Sequence, residues 1–146
     1  MKNIFKVFSL ALLVGAMFTL SSCKKDSQDL IIGKWSLVSA TTDDDLMSEL
    51  FPLLIDHMTY EFTDDGILTV TASTGDSAID EFLCGSTNYS IEGNNLIVKA
   101  EDEEGRTDIN TITIDEITKN SLTLTEVIET IDGVPTSTAT QKFKKI

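Results

Sequence analysis

Groups that titrate, ligate or attack are few in this chain. His57 is the only histidine among 146 residues, and the two cysteines, Cys23 and Cys84, stand far apart. A tetrahedral zinc site takes several His or Cys ligands, so these cannot build one. No nucleophile is arranged around His57, which is expected to be a structural or exposed histidine. The acidic runs Asp43-Asp44-Asp45 and Glu101-Asp102-Glu103-Glu104 lack the alternating ligands and glycine of a calcium loop. They read as helix-cap and solvated loop charge, and Asp64-Asp65-Gly66 reads as a turn. Cys84 closely follows Asp80 and Glu81, whose charge opposes a thiolate, and is expected as a small buried hydrophobe. The sequence thus predicts no catalytic residue, no metal, no cofactor and no enzyme. One polar pair, Glu126 and Gln141, becomes a site only if the fold puts both on one interior face.

Cys23 has a different setting. Lys2 and Lys6 give a positive start, Val7 to Leu20 is apolar apart from Ser9 and Thr19, and Leu20-Ser21-Ser22-Cys23 closes the run. That order is an export signal, with an apolar core shorter than the ~20 residues of a membrane span. The closing tetrad resembles the bacterial lipobox. The resemblance implies cleavage before Cys23, acylation of Cys23 with palmitate-type chains, and a lipid-anchored protein of the bacterial cell envelope, in the outer membrane. At about 0.8 kcal/mol per buried methylene, two or three chains make release negligible. The residues after Cys23 resemble in part the surface-export signal of Bacteroides-type lipoproteins, with Lys25 where an acidic residue is expected. The chain therefore divides into a signal peptide (1–22), a lipidated polar tether (23–30) and one domain (31–146).

Lys2 and Lys6 leave with the leader, so nine of the 11 basic residues remain against all 24 acidic ones, a formal charge of −15. Such a surface excludes nucleic acid, whose binding needs basic patches, and disfavours anionic lipid headgroups. It serves solubility.

The elements that must position Glu126 and Gln141 are strands. Period-2 alternation, rich in threonine, isoleucine and valine, predicts eight: 32–41, 57–63, 67–73, 86–92, 95–100, 107–118, 122–131 and 136–144. Their turns predict the registers. Asp64-Asp65-Gly66 sets Phe62 opposite Leu68 and Tyr60 opposite Val70; Gly93-Asn94 sets Ile91 opposite Leu96 and Tyr89 opposite Val98. A three-residue turn at Lys119-Asn120-Ser121 would pair Ile112 with Ile128. A four-residue turn from Asp132 to Pro135 would pair Leu124 with Phe143, Ile128 with Ala139, and Glu126 with Gln141. The expected inward residues are Trp35, Leu37, Tyr60, Phe62, Leu68, Val70, Tyr89, Val98, Ile112, Ile114, Ile128 and Phe143. A carboxylate and an amide would then lie inside at mid-strand, needing water, a partner or a ligand. A bulge at Glu126-Val127 would instead turn the carboxylate to solvent.

Asp43 to Asp45 precede apolar positions at helical spacing (Leu46, Met47, Leu50, Phe51, Leu54), predicting a helix that Pro52 should kink or split. A second short helix is expected from Asp76 to Leu83. Nearest-neighbour hairpins closing after eight strands make an up-and-down barrel with the first helix over one mouth; a two-sheet sandwich is the alternative closure.

Gly33-Lys34-Trp35 on the first strand resembles the lipocalin signature. Tyr60-Glu61-Phe62, Tyr89-Ser90-Ile91, Gly93-Asn94-Asn95-Leu96, Leu122-Thr123-Leu124 and Phe143 extend the likeness to lipocalin-like lipoproteins of Bacteroides-type bacteria. The family places a late arginine against the tryptophan. Arg106, the only arginine, is too early, so Lys142 or Lys144 would have to serve. The resemblance implies a small hydrophobic or amphipathic ligand held by Trp35, Tyr60, Phe62, Tyr89, Glu126, Gln141 and Phe143. The alternative is a filled barrel acting as a non-enzymatic module that binds an envelope protein. Asp76-Ser77-Ala78 resembles the short O-glycosylation acceptor of the same bacteria, at Ser77.

Overall fold

Alternation commits each strand to one buried face, and a sheet of such strands loses its unpaired edges only by closing on itself. The computed structural model, which describes residues 26–101, 105–131 and 134–146, is closed. Its strands are β1 (Gly33–Thr42), β2 (Met58–Phe62), β3 (Ile67–Ala72), β4 (Gly85–Glu92), β5 (Asn95–Glu101), β6 (Thr107–Ile117), β7 (Ser121–Ile131) and β8 (Val134–Lys145). Each pairs antiparallel with its sequence neighbours, and β8 returns to β1, so the closure is a barrel and not a sandwich. Among the described residues three helices accompany it: α1 (Ser27–Ile31), α2 (Asp45–Leu54) and α3 (Ser77–Leu83).

Two hairpins have the register their turns predict: Phe62 faces Leu68 and Tyr60 faces Val70, while Ile91 faces Leu96 and Tyr89 faces Val98. Gly66 takes φ +84°, the left-handed conformation its turn requires. The other two hairpins differ from expectation by two residues. Ile114 faces Leu124, so Ile112 does not meet Ile128. Leu122 faces Phe143, Leu124 faces Gln141 and Glu126 faces Ala139, so the expected Leu124–Phe143, Ile128–Ala139 and Glu126–Gln141 pairs do not form. Thr118 explains the first shift. Its hydroxyl accepts from the N–H groups of Asn120 and Ser121 (3.2 and 2.9 Å), making it a turn residue instead of the end of a strand. In the last hairpin, pairing continues to Ile131 and Val134, with irregularities flanking Glu129 and not at Glu126-Val127. Strand faces repeat every second residue, so an offset of two moves partners along the strand but keeps the same inner face.

The closed end of the barrel is sealed around Trp35, which is fully buried. Its indole N–H donates to the Ile31 carbonyl at 2.6 Å. Lys145 lies over the ring, Nζ 4.9 Å from the centroid, and donates to the Leu30 carbonyl at 3.1 Å. The cation against the tryptophan is therefore Lys145, while Lys142 and Lys144 face solvent. Gly33 makes room for it: a Cβ there would stand 2.8 Å from Lys145 Cε, and φ is +125°. An isolated five-residue helix is not stable in water, but Ile31 is wholly buried against the barrel and fixes α1 as a plug.

α2 begins where the acidic run predicts. Asp44 is the N-cap, accepting from Met47 N–H at 2.8 Å, and Asp43 accepts from Thr138 N–H at 2.6 Å. Pro52 does not split the helix. It removes one backbone bond in the last turn, whereas Ile55 N–H still reaches the Phe51 carbonyl (3.1 Å) and Phe51 and Leu54 are buried in the core. Most expected inward residues are buried or packed against that core; Ile128 is the exception, 36% exposed beside the β7 irregularity. Cys84 is exposed, contrary to expectation. Its sulfur accepts the Ala72 N–H (3.1 Å) beyond the last pairing of β3 with β4, Val70 with Gly85, so it serves the sheet margin and not the core.

Lys145→Ala should lower unfolding free energy by about 1–3 kcal/mol through lost stacking and an unpaired carbonyl. Lys142→Ala should leave it unchanged in the same urea titration. Cys84 should react stoichiometrically with a maleimide in the native protein, read by mass spectrometry.

Candidate functional site

From the closed end up to Leu96, Ile112 and Leu124, the barrel interior is filled by its own side chains. Beyond that layer the inner faces of β5, β6 and β7 change character. Val98 pairs with Asn110 and Ala100 with Asp108. Small, branched and short polar groups replace leucines, and a cavity of about 490 Å³ opens there. Met47 of α2 forms one wall, and Ile109, Val127 and Ile128 form its outer margin. Asp108, Asn110 and Glu126 are its polar lining. Among the described residues no lysine, arginine or histidine lines it.

Glu126 is the best-fixed polar group in this mouth. Its carboxylate accepts a hydrogen bond from Asn110 Nδ2. Behind it lies Tyr60, whose hydroxyl donates to Gln141 Oε1 at 3.4 Å, a long bond. Gln141 is the one buried polar side chain among the described residues, 8% exposed. Burial pushes the Tyr60 phenol well above its ordinary range, and the Glu126 charge adds to the shift. Glu126 and Gln141 thus share an inner face, as diagonal neighbours and not as a directly facing pair.

Of the seven residues expected to hold a ligand, Glu126 alone lines the cavity. Trp35, Phe62 and Phe143 are sealed core. Tyr89 packs edge-on to Phe62 at 5.1 Å and donates to the Thr63 carbonyl at 2.7 Å, toward the closed end. Tyr60 stacks on Phe143 at 4.7 Å. The aromatic residues that look most like a ligand box therefore fill the barrel. Sequence reasoning missed Met47, Ala100, Asp108 and Asn110. Alternation through 107–112 puts 108 and 110 on the inner face with Ile112, and that parity was the available signal.

A second concavity, about 520 Å³, lies outside the barrel between α2 and the start of α3, lined by Leu53, Thr74, Gly75, Asp76, Ser77 and Ile79. Asp76 caps α3 by accepting from Ala78 and Ile79 N–H (2.9 and 3.3 Å), and exposed Ser77 is the first helical residue. Thr74 donates its N–H and hydroxyl to Asp80, both at 2.8 Å, which holds that carboxyl below its usual range. His57 is exposed, and its backbone carbonyl accepts from Ser73 N–H at 3.0 Å. Cys23 and residues 102–104 of the second acidic run lie outside the described residues.

A family model described as "Lipocalin-like domain" matches residues 31–125. Among solved structures, the crystal structure of a lipocalin-like protein from Bacteroides uniformis ATCC 8492 aligns with 80% of this chain and 99% of its own, at 17% identity and a TM-score of 0.46. No curated protein matches.

The raised Tyr60 phenol makes stability depend on alkaline pH. Above about pH 10 the unfolded chain releases this proton while the folded barrel retains it, so unfolding becomes easier as pH rises. The slope should approach about 1.4 kcal/mol per pH unit for one such group. Tyr60→Phe should remove that share, leaving the smaller one from Tyr89, which is raised by burial and by Asp64 and Asp65. Urea titrations between pH 9 and 12 measure this.

Proposed function

Since the chain belongs to the lipocalin-like domain family, we propose that it is a lipid-anchored, non-enzymatic protein of the bacterial envelope, binding a small apolar or amphipathic ligand at the mouth of its barrel. The observation that carries this reading is the mouth cavity: about 490 Å³, mostly apolar, with three polar groups in its lining. Binding sites for small molecules have this size and mixture, an apolar surround for affinity and a few polar groups for orientation. Glu126 and Asn110 orient the ligand, Tyr60 and Gln141 support the floor behind them, and Met47 closes one side. The anchor is the diacylated Cys23, in the outer membrane and facing the cell surface, and Ser77 is accessible for glycosylation on the outer concavity.

A second reading is favoured by a specific observation. Leu46, Leu53 and Phe82, on α2 and α3, are 74, 50 and 85% exposed. Such apolar exposure suits a protein partner in the envelope, with the barrel as scaffold.

Native mass spectrometry of protein taken from its source envelope should show a bound small molecule besides the acyl chains. Ala100→Trp, which fills the cavity from its rim, should lose that molecule while keeping the circular dichroism of the barrel. Retention of the ligand in Ala100→Trp would move its site elsewhere, and repeated absence from the wild type would favour the protein-partner reading. Cys23→Ala should shift the protein from the membrane to the soluble fraction.

A further inference from the structure

The mouth cavity has a polarity of charge as well as of shape. Its ionisable lining consists of Asp108 and Glu126, and among the described residues no basic side chain reaches it. Glu126 carries one hydrogen bond from Asn110, a neutral donor, which orients the carboxylate without neutralising it. A carboxylate has about four lone-pair positions, so accepting capacity remains beyond the Asn110 bond. Lys34 pairs with Glu61 at 3.3 Å on the outer surface, away from this cavity. The apolar part of the lining comes from Met47 of α2 and from Val98 and Ala100 of β5, beside Asn110 and Asp108.

We propose that the cavity selects amphipathic cations: a ligand with an apolar body against Met47, Val98 and Ala100, and an ammonium or amidinium group donating to Glu126. The inference rests on the ligand-binding reading of the mouth and adds the charge of the ligand. A fatty acid or other amphipathic anion is disfavoured, because its carboxylate would meet Glu126 and Asp108 with no counter-charge. A cation supplies the charge-assisted hydrogen bonds that the neutral Asn110 leaves open. The Glu126 charge also adds to the rise of the buried Tyr60 phenol, after burial itself.

The test uses three environment-sensitive probes with the same dansyl body and a five-carbon linker. They end in an amine (dansylcadaverine), a methyl group or a carboxylate. Each is titrated by fluorescence into the full chain in nanodiscs of zwitterionic phospholipid, with empty nanodiscs subtracted. The amine should bind about tenfold or more tighter than the other two, as expected for a carboxylate partner in a partly desolvated site. Glu126→Gln should remove that preference, read as the ratio of amine to methyl-probe affinity within the same variant. Asp108→Asn, nearer the rim, should reduce the preference in part, and it supplies the test should Glu126→Gln fail to fold. Equal binding of all three probes, tighter binding of the carboxylate, or an amine preference that persists in both variants would overturn the inference. Equal binding that is lost in Ala100→Trp would do so while sparing the ligand-binding reading. Binding of none of the three would count against both.

Discussion

Closure of β8 onto β1 is the constraint on which the rest of the structure depends. Once that ladder forms, no strand presents an unpaired edge, and every alternate residue is consigned to a fixed interior volume. Side-chain size then decides what the interior becomes. Where Trp35, Phe62, Phe143 and the leucines lie, the volume is used up; where Ala100, Asp108 and Asn110 lie, it is not. The cavity thus follows from a change of composition along β5 and β6, without any separate loop architecture to make it. α2 supplies its wall because Phe51 and Leu54 bury toward the core and bring Met47 to the margin.

Much of the fold was legible because the two signals that specify it are local. Glycine at a left-handed position and strict alternation act over a few residues, and the hairpins at Asp64-Asp65-Gly66 and Gly93-Asn94 followed from them. Registers failed where a side chain outside the alternation intervened. Thr118 looks like a strand residue and acts as a turn staple, and an irregular β7 absorbs residues that alternation counts as paired. Both errors preserved parity, so the inner face survived them. The site was less legible for a related reason. Aromatic residues were assigned to a ligand, but aromatic rings gain most from complete burial, and the barrel buries Phe62, Phe143 and Trp35 in its sealed half. Asp108 and Asn110 share the parity of Ile112, but a polar residue near a strand end carries no signal of its own that it lines a cavity. Position in the barrel, not residue type, separates core from lining.

The two ends of the molecule use charge in opposite ways. At the closed end Lys145 is spread over an indole and tied to a backbone carbonyl, so its charge is satisfied without an acidic partner. At the mouth Glu126 and Asp108 meet a neutral amide and solvent. The first arrangement locks a joint among α1, β1 and β8. The second leaves electrostatic potential available to something not part of the chain.

The plug formed by α1 fixes more than stability. Its N-cap, Asp26, stands at the closed end, three residues from Cys23. Even fully extended, that link spans about 10 Å. If Cys23 carries acyl chains as proposed, the barrel would stand on the bilayer like a cup on a short stem, base down and rim outward. Cargo would then arrive from the aqueous side, and the lipids that hold the stem would have no direct path to the rim.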